Sequence, residues 1–361
     1  MKQRVYVKTK ELEDFTVNVL KGHGLNEKDA SITASVLLSA DRRGIESHGV
    51  ARLKRYVDGI KSGIIKLDPD VKTIKETPVS LVVDGGGGMG QTVAYNVMKK
   101  CIEKAKTSMM CFASIRNSNH YGIAGYYSLM ALEEDLIGVS LTNSAPLVVP
   151  TFAKDAVVGT NPISVGVPAD KQRPFLLDMA TSTVPRGKLE VYSRKEEPMP
   201  DSWATDERGI PTKDSLQVLD NLLNRKGGGL LPLGGGTEMT GGHKGYGLGA
   251  IVDIFSGILS SGAVGKDVYG KKGAPPEVAH FLGAINPEAF MGTDEIKKNM
   301  DAYIEMLKGS NKAEGQDRIY VAGEKEYIAD ENNSEKLSIQ NKVFDILNDL
   351  GDEFNLKLEG E

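Results

Sequence analysis

Three of the five histidines in this 361-residue chain lie in polar, glycine-flanked surroundings rather than within apolar periods. They are His48, His120 and His243. The unperturbed pKa of histidine is about 6.5, so these side chains can exchange a proton near neutral pH. The chain therefore offers three candidates for acid–base chemistry or ligand binding.

The first candidate lies in Ser47-His48-Gly49-Val50-Ala51-Arg52. In a helix, His48 and Arg52 would be only about 40° apart on one face. An arginine matches a carboxylate with two hydrogen bonds, and a neighbouring histidine can exchange a proton with the adjacent hydroxyl or carbonyl oxygen. The pair suits a 2-hydroxy or 2-oxo acid. The alternative is an exposed basic helix face, on which Ser47 is a helix cap.

The other two candidates follow different elements. His120 lies in Arg116-Asn117-Ser118-Asn119-His120-Tyr121-Gly122, between a strand and a helix, where α/β folds bind ligands. His243 precedes Lys244 at a glycine-rich helix start, which suits a cofactor phosphate or, equally, a flexible hinge. No metal-ligand spacing joins the three histidines, so we expect no metal site.

A glycine-rich turn competes for the role of cofactor site. Strand 79–84 runs into Gly85-Gly86-Gly87-Gly88-Met89-Gly90, which satisfies GxGxxG and precedes a helix. The next strand ends in Arg116 rather than in an acid that would bind a ribose. A Rossmann phosphate loop and a simple tight turn both remain open. The turn is favoured, because the ribose-binding acid is missing and because five glycines in six residues satisfy the motif easily.

Periodicity predicts the elements that position these residues. The first 63 residues read as helices, with one helix over 47–62 and Asn26 as the cap of another. The middle alternates strands with helices, and the end is mainly helical. The predicted strands are 79–84, 109–116, 137–143, 156–167, 174–179 and 318–321; the later helices are 91–106, 124–136, 245–260, 294–307 and one that includes Leu337.

This pattern predicts an α/β (α+β) fold with two parts. Segments 1–76 and 288–361 would form one mainly helical lobe from both termini. Segment 77–287 would form a mixed α/β cofactor and substrate region. Within it, the Gly- and Pro-rich stretch 194–242 would be a surface excursion or lid.

Composition excludes several classes of protein. With 44 basic and 49 acidic residues, the net charge is -5, so we expect no nucleic-acid partner. No apolar run reaches the roughly 18 residues of a membrane span, so we expect no membrane association. The two cysteines, Cys101 and Cys111, indicate reduced core thiols and a cytoplasmic protein.

Five blocks in chain order resemble the malate/L-lactate dehydrogenase type 2 family, which includes malate, sulfolactate and ureidoglycolate dehydrogenases. The resemblance spans essentially the whole chain and is greatest to the malate dehydrogenase branch. The blocks are Gly44-Ile45-Glu46-Ser47-His48-Gly49-Val50, Arg116-Asn117-Ser118-Asn119-His120-Tyr121-Gly122, Gly159-Thr160-Asn161-Pro162, Leu177-Asp178-Met179-Ala180-Thr181-Ser182 and Gly242-His243-Lys244-Gly245-Tyr246-Gly247.

The resemblance implies a homodimeric NAD- or NADP-dependent oxidoreductase with a non-Rossmann, mixed-sheet cofactor-binding core. It implies catalytic roles for His48 and His120, without deciding which carries the proton, and a substrate-carboxylate role for Arg52. Ser47 and Lys188 are further catalytic candidates. Lys188 departs from the related imino acid reductases, for which the resemblance implies an acidic residue at that place. The implied cofactor-binding residues are His120, Tyr121, Gly122, Ser144, Thr160, Asp178, Met179, Ala180, Arg186, Lys244, Gly323 and Glu324.

The resulting prediction is an NAD(P)-dependent malate dehydrogenase that transfers hydride reversibly between the cofactor and malate or oxaloacetate. Two alternatives stay open. The same chemistry could act on sulfolactate, ureidoglycolate, lactate or another 2-hydroxy acid, or the scaffold could bind a ligand without catalysis. Either Arg55 or Arg116 could meet a second substrate carboxylate.

Overall fold

The computed structural model describes residues 4–270 and 274–361. Its strands are β1 (Arg4–Lys8), β2 (Lys72–Glu76), β3 (Ser80–Asp84), β4 (Met110–Ser118), β5 (Ile137–Thr142), β6 (Ile163–Val167), β7 (Phe175–Met179), β8 (Ala204–Thr205), β9 (Gly229–Leu230), β10 (Val278–Ile285) and β11 (Lys336–Gln340). Its α-helices are α1 (Thr9–Gly22), α2 (Glu27–Arg42), α3 (Leu53–Lys61), α4 (Gly90–Ser108), α5 (Gly125–Leu132), α6 (Arg186–Lys195), α7 (Ser215–Asn224), α8 (Gly242–Ser256), α9 (Thr293–Lys308), α10 (Glu324–Asn332) and α11 (Asn341–Asp352).

Seven strands form one mixed sheet in the order β2-β3-β4-β10-β5-β6-β7. Strands β3 and β4 run parallel, and the other neighbouring pairs of this sheet are antiparallel. A Rossmann sheet is mostly parallel, with crossover helices between its strands. The predicted non-Rossmann α/β core is therefore confirmed.

Strand β10 lies at the centre of this sheet, between β4 and β5, and was not predicted from the sequence. Most of its residues are buried, so it shows no alternation of polar and apolar positions. Gly283 faces Phe112 so closely that an added β-carbon would lie 2.2 Å from the phenylalanine ring. This glycine and His280 obscure the strand pattern in the sequence.

Helices α4 and α5 pack with the sheet in one apolar core. Val93 and Met98 of α4 contact the same cluster as Ile115 of β4 and Leu282 of β10. Cys101 also lies in this cluster, and both cysteines are buried free thiols. The loop that follows β4, which carries His120, thus begins on a closely packed support.

A second core contains side chains from both ends of the chain. Leu12, Leu37 and Leu53 share it with Leu337 and Leu347. Strands β1 and β11 pair antiparallel beside this core. Strand β2, which lies within segment 1–76, pairs with β3 in the large sheet instead.

The Gly- and Pro-rich stretch 194–242 contains helix α7 and the short β8–β9 pair. Met199, Val218 and Leu230 from this stretch share a third apolar core with Val148 and Leu189. The stretch is therefore packed against neighbouring segments and is not simply an irregular surface loop.

Several local predictions can be compared with the structure. Asn26 caps α2 as predicted, accepting the Asp29 N–H at 2.9 Å. The predicted strand 318–321 is wrong, since these residues have no regular structure, and Leu337 lies on β11 before the last helix begins. Within the described residues, no helix is both long and apolar enough to cross a membrane.

Candidate active site

The first candidate segment is irregular rather than helical. His48 ends one 3₁₀ turn, Glu46–His48, and Arg52 ends a second, Val50–Arg52; Gly49 between them is extended (φ −86°, ψ −152°). The predicted helix over 47–62 is therefore wrong for its first six residues, since α3 begins at Leu53. Arg52 still lies beside the histidine segment, because its Nε donates to the Ser47 carbonyl oxygen at 2.7 Å.

The second segment follows β4 and contacts the glycine-rich turn. The Asn119 side-chain Nδ2 donates to the carbonyl oxygens of Gly87, at 3.1 Å, and Gly88, at 2.9 Å. An added β-carbon at Gly90 would lie 2.1 Å from the Asn119 carbonyl oxygen, so glycine is required there. The turn thus supports the backbone that leads into His120.

The turn itself offers few amides to a phosphate. The Gly85 and Gly87 N–H groups donate to the Arg116 and Asn117 carbonyl oxygens, both at 2.8 Å. Gly86 donates to the Asp84 carboxylate and Gly88 to the Gly85 carbonyl oxygen, both at 3.0 Å. A Rossmann phosphate loop needs such groups free, so the structure favours the tight-turn interpretation.

The two segments bring His48 and His120 together. Their rings stack with centroids 5.6 Å apart. Ser47 Oγ lies 2.9 Å from His48 Nδ1, and Tyr56 Oη lies 2.7 Å from His120 Nδ1. Each imidazole is therefore anchored at Nδ1 by a hydroxyl group.

The contacts of His120 favour one tautomer in this structure. The backbone N–H of Gly122 points at His120 Nδ1 at 3.3 Å, and an amide can only donate. Nδ1 is thus an acceptor, which also takes the Tyr56 O–H. A neutral ring with Nδ1 unprotonated carries its proton on Nε2. His120 can therefore donate one hydrogen bond from Nε2.

Both imidazoles are held in the neutral form. Burial, followed by the charges of Arg52 and Arg55, lowers the pKa of His48 to about 4. Burial, followed by Arg55, His48 and Arg52, lowers the pKa of His120 well below its usual value. Burial also raises the pKa of Tyr56 to about 12, so its hydroxyl keeps its proton. Neutral rings beside two cations form a site suited to an anion with an exchangeable proton.

The arginines differ in their surroundings. Arg52 is half-buried, and burial, followed by the charge of Arg55, lowers its pKa. The opposing charge of Glu190 on α6 also acts on Arg52, which indicates that α6 lies near this side chain. Arg55 is exposed and donates to Tyr269 Oη at 3.0 Å. Arg116 instead pairs with Asp84 at 3.0 Å.

A cavity of about 300 Å³ lies where β7 meets the turn before α10. Asp178 and Gly323, two predicted cofactor residues, line it with Arg43. Asp178 accepts the N–H of Gly125 at 2.7 Å, so the β7 block contacts the chain just after His120. Desolvation by the surrounding protein raises the pKa of Asp178 to about 6, although the side chain remains exposed to solvent.

Two predicted cofactor residues from separate blocks meet through their hydroxyl groups. Ser144 Oγ accepts the Thr160 N–H at 3.0 Å and lies 3.2 Å from Thr160 Oγ1. The Asn161 side chain accepts the Ser144 N–H at 3.1 Å and donates to the Gly249 carbonyl oxygen at 2.9 Å. These bonds connect both residues to α8, the helix that begins near Lys244.

Other predicted site residues have their side chains elsewhere. The Tyr121 ring is buried against His280, with its hydroxyl 2.9 Å from Ser140 Oγ. The Glu324 carboxylate is buried and pairs with Lys308, at 3.0 Å, and Arg318. Three residues are exposed on helices: Arg186 and Lys188 on α6 and Lys244 on α8. Met179 and Ala180 are half-buried at the end of β7.

Sequence reasoning missed three residues that contact the histidines or the segments that carry them. Tyr56 was hidden on the buried side of α3, where an aromatic residue normally indicates packing. His280 was hidden in the unpredicted β10; it lies between Thr142 and Ser118, at 2.7 and 2.9 Å. Asp41 resembles an ordinary polar residue of α2, yet it accepts the Val50 N–H at 2.7 Å. For Tyr56 and Asp41, the one available signal was a polar group within the apolar stripe of a helix.

Comparison with known proteins gives matches across the whole chain. The sequence profile of the malate/L-lactate dehydrogenase family matches residues 7–348. A malate dehydrogenase of Pyrococcus abyssi is 49% identical over 348 residues, which are 96% of this chain and 94% of that protein. An L-sulfolactate dehydrogenase of Methanocaldococcus jannaschii is 38% identical over 95% of both chains.

The fold has similarly complete matches. The crystal structure of malate dehydrogenase from Entamoeba histolytica superposes with a TM-score of 0.94 at 36% identity, covering 99% of each chain. Sequence and fold comparisons thus point to one family over the same length of chain.

Proposed function

This chain belongs to the malate/L-lactate dehydrogenase family and is an oxidoreductase that acts on CH–OH donors with a nicotinamide cofactor, and we propose malate and oxaloacetate as its substrate pair. Oxidation of the 2-hydroxy acid removes a hydride from C2 and a proton from the hydroxyl group. When bound, the oxidised nicotinamide accepts that hydride, and the reduced ring returns it in the reverse reaction.

One observation carries this proposal: two stacked neutral imidazoles lie within the field of Arg52 and Arg55. A 2-oxo dicarboxylate has the complementary features, namely two negative groups and a carbonyl oxygen that must be protonated. We assign one carboxylate to Arg52, which can offer a planar pair of donors. Arg55 would take the second carboxylate, since Arg116 is paired with Asp84.

His120 is the proposed proton carrier. When Nδ1 accepts from Tyr56 and Gly122, the ring proton is on Nε2. This Nε2–H is the proposed donor to the substrate oxygen. In malate oxidation, the ring would carry its proton on Nδ1, which would donate to Tyr56 Oη, and Nε2 would accept the hydroxyl proton. An arriving carboxylate offsets the arginine charges that depress the histidine pKa, which favours the protonated ring needed for reduction.

His48 and Ser47 complete the proposed arrangement. His48 stacks on His120 and is held by the Ser47 hydroxyl, so it limits the movement of the proton carrier. Lys188 is exposed on α6, the helix that carries Glu190. Its proposed part is limited to the positive charge that it adds to α6, the helix that lies near Arg52.

The chain's residues fit a nicotinamide nucleotide. The 300 Å³ cavity at Asp178 and Gly323 is of a size that holds part of such a ligand. Asp178 would accept ribose hydroxyls, and the hydroxyl groups of Ser144 and Thr160 lie ready for polar contacts. Lys244 is an exposed cation, and Arg186 is an exposed cation that pairs with Glu190 at 3.2 Å; both can meet phosphate, including the additional phosphate of NADP. Both NAD and NADP are therefore to be assayed.

A homodimer is the proposed assembly. The described residues of α8 and the turn after it expose a row of apolar side chains, which a second copy could cover. The row contains Leu248, Ile251, Phe255, Ile258 and Leu259. Light scattering should give twice the mass of the chain.

The two buried free thiols fit a reducing compartment, and we propose the cytoplasm.

The decisive test of the substrate is a steady-state panel of 2-oxo acids with NADH and with NADPH. Oxaloacetate should give the largest kcat/KM. A preference for sulfopyruvate or another 2-oxo acid would move the assignment within the family. Turnover of none of the acids with either cofactor would instead favour a protein that binds ligands without catalysis.

A further inference from the structure

Asp41 is a buried carboxylate that directly contacts the irregular segment 46–52, which carries His48 and Arg52. It lies at the end of α2, and its Oδ2 accepts the Val50 N–H at 2.7 Å. A β-carbon added to Gly49 would lie only 1.9 Å from Asp41 Oδ1. The carboxylate is therefore packed against the backbone of both Gly49 and Val50.

This contact occurs at the break between the two 3₁₀ turns. His48 immediately precedes Gly49, and Arg52 is two residues after Val50. Two three-residue turns supply few hydrogen bonds of their own. The carboxylate accepts the Val50 N–H at the start of the second turn. The first amides of a helical turn have no hydrogen-bond partner within the turn itself. The path of the chain between the two side chains thus depends on Asp41.

A second carboxylate holds the other end of the segment. Glu46 bonds to Arg4 of β1 at 2.6 Å and accepts from Gln340 of β11 at 3.2 Å. Burial raises the pKa of Asp41 to about 7, the Val50 N–H lowers it, and the charges of Glu46 and Arg4 respectively raise and lower it. The β11 and α11 residues beside Asp41 in the adjoining cavity of about 100 Å³ are uncharged. Asp41 and Glu46 therefore fix the segment from two directions.

We propose that Asp41 is a positioning residue that holds His48 and Arg52 in the geometry required for turnover. The proposal rests on the dehydrogenase function proposed above and adds a residue that does not touch substrate. It also explains why glycine occupies position 49, since a side chain there would displace the carboxylate.

The test compares Asp41→Ala, Asp41→Asn and Asp206→Ala. Asp206 is the matched control: it is also buried, and its carboxylate accepts the N–H groups of Arg208 and Ile210, both at 2.9 Å, in the separate 194–242 stretch. Asp41→Ala should lower kcat/KM about 100-fold, the size expected when reacting groups shift by about 1 Å. Asp41→Asn retains an acceptor oxygen and should recover activity to within about tenfold of wild type.

The split between KM and kcat separates positioning from simple loss of folded protein. Displacement of Arg52 should raise KM for the acid while displacement of His48 lowers kcat. Loss of folded enzyme would lower apparent kcat alone, as Asp206→Ala could also do. Equal kinetics for Asp41→Ala and Asp206→Ala, with KM unchanged in both, would overturn the proposal.

Hydrogen–deuterium exchange decides the same question without turnover. In Asp41→Ala, amides of 48–52 should exchange faster than in wild type, while those of β4 and β10 remain protected. Wild-type protein without activity on any acid would refute the proposed function but leave this readout intact. Unchanged exchange at 48–52 would refute the role of Asp41 in either case.

Discussion

The two segments that carry the histidines are held in different ways. The segment at His48 consists of two short turns fixed mainly by the carboxylates of Asp41 and Glu46. The segment at His120 follows a central strand and is supported by Asn119, by the glycine turn and by the buried side chain of His280. The first support lies beside the site, whereas the second is part of the core.

Because of this difference, mutations at the two supports should affect catalytic activity and the free energy of unfolding to different degrees. A change near His48 can move a reacting group while most of the apolar core stays intact. A change behind His120 removes contacts that also hold β4, β5 and β10 together. The supports of the first segment should therefore affect mainly catalysis, and those of the second should also affect the free energy of unfolding.

The largest expected effect comes from His120 itself. His120→Ala removes the proposed proton carrier and should lower kcat for oxaloacetate reduction by about 10³-fold. Steady-state kinetics measure the change, with His23→Ala as the control because His23 follows α1, packs edge-on against Phe354 and is not a candidate site residue. Similar kcat values for the two variants would remove His120 from the mechanism.

Arg52→Ala should weaken substrate capture. Loss of two charge-assisted hydrogen bonds to a carboxylate should lower kcat/KM about 100-fold, chiefly by raising KM. Lys54→Ala is the matched control, since Lys54 is a nearby exposed cation paired with Asp58 at 2.8 Å. If KM for oxaloacetate is the same in both variants, Arg52 does not bind the carboxylate.

His280→Ala tests the second support. It removes the bonds to Thr142 and Ser118 and the stacking on Tyr121, and should lower the free energy of unfolding by about 3 kcal/mol. Urea denaturation measures this loss. The comparison between segments fails if His280→Ala is as stable as the exposed His243→Ala variant.

The smallest effect is a change in one histidine titration. NMR of the His48 ring should give a pKa near 4, with His48→Gln used to assign the signal. Because the Arg52 charge lowers this pKa, Arg52→Ala should raise it. A wild-type midpoint near the ordinary value of about 6.5 would mean that His48 is neither desolvated nor close to the arginines.

Sequence patterns identified the residues that meet at the candidate site better than they predicted the geometry of those residues. The residue types and glycine-rich surroundings singled out His48, Arg52 and His120, and the structure places them together. The helical spacing that first linked His48 to Arg52 is absent, because Asp41 and Gly49 break the helix. Their proximity arises instead from the bond between Arg52 and the Ser47 carbonyl oxygen.

The fold shows a similar division. Apolar runs predicted most strands of the sheet, yet they missed β10, where Gly283 accommodates the Phe112 ring and His280 is buried among hydroxyl groups. Helical periodicity also missed β11, because its pairing with β1 joins residues more than 300 positions apart. Such long-range partners leave no local signal in the sequence.

Single-turnover kinetics of hydride transfer test the central claim most directly, namely that His120 protonates a 2-oxo acid held by the arginines. Wild-type enzyme loaded with reduced cofactor and mixed with oxaloacetate should lose the absorbance of the reduced nicotinamide rapidly. His120→Ala should lose it about 10³-fold more slowly at saturating acid. Equal rates for the two proteins would contradict the account.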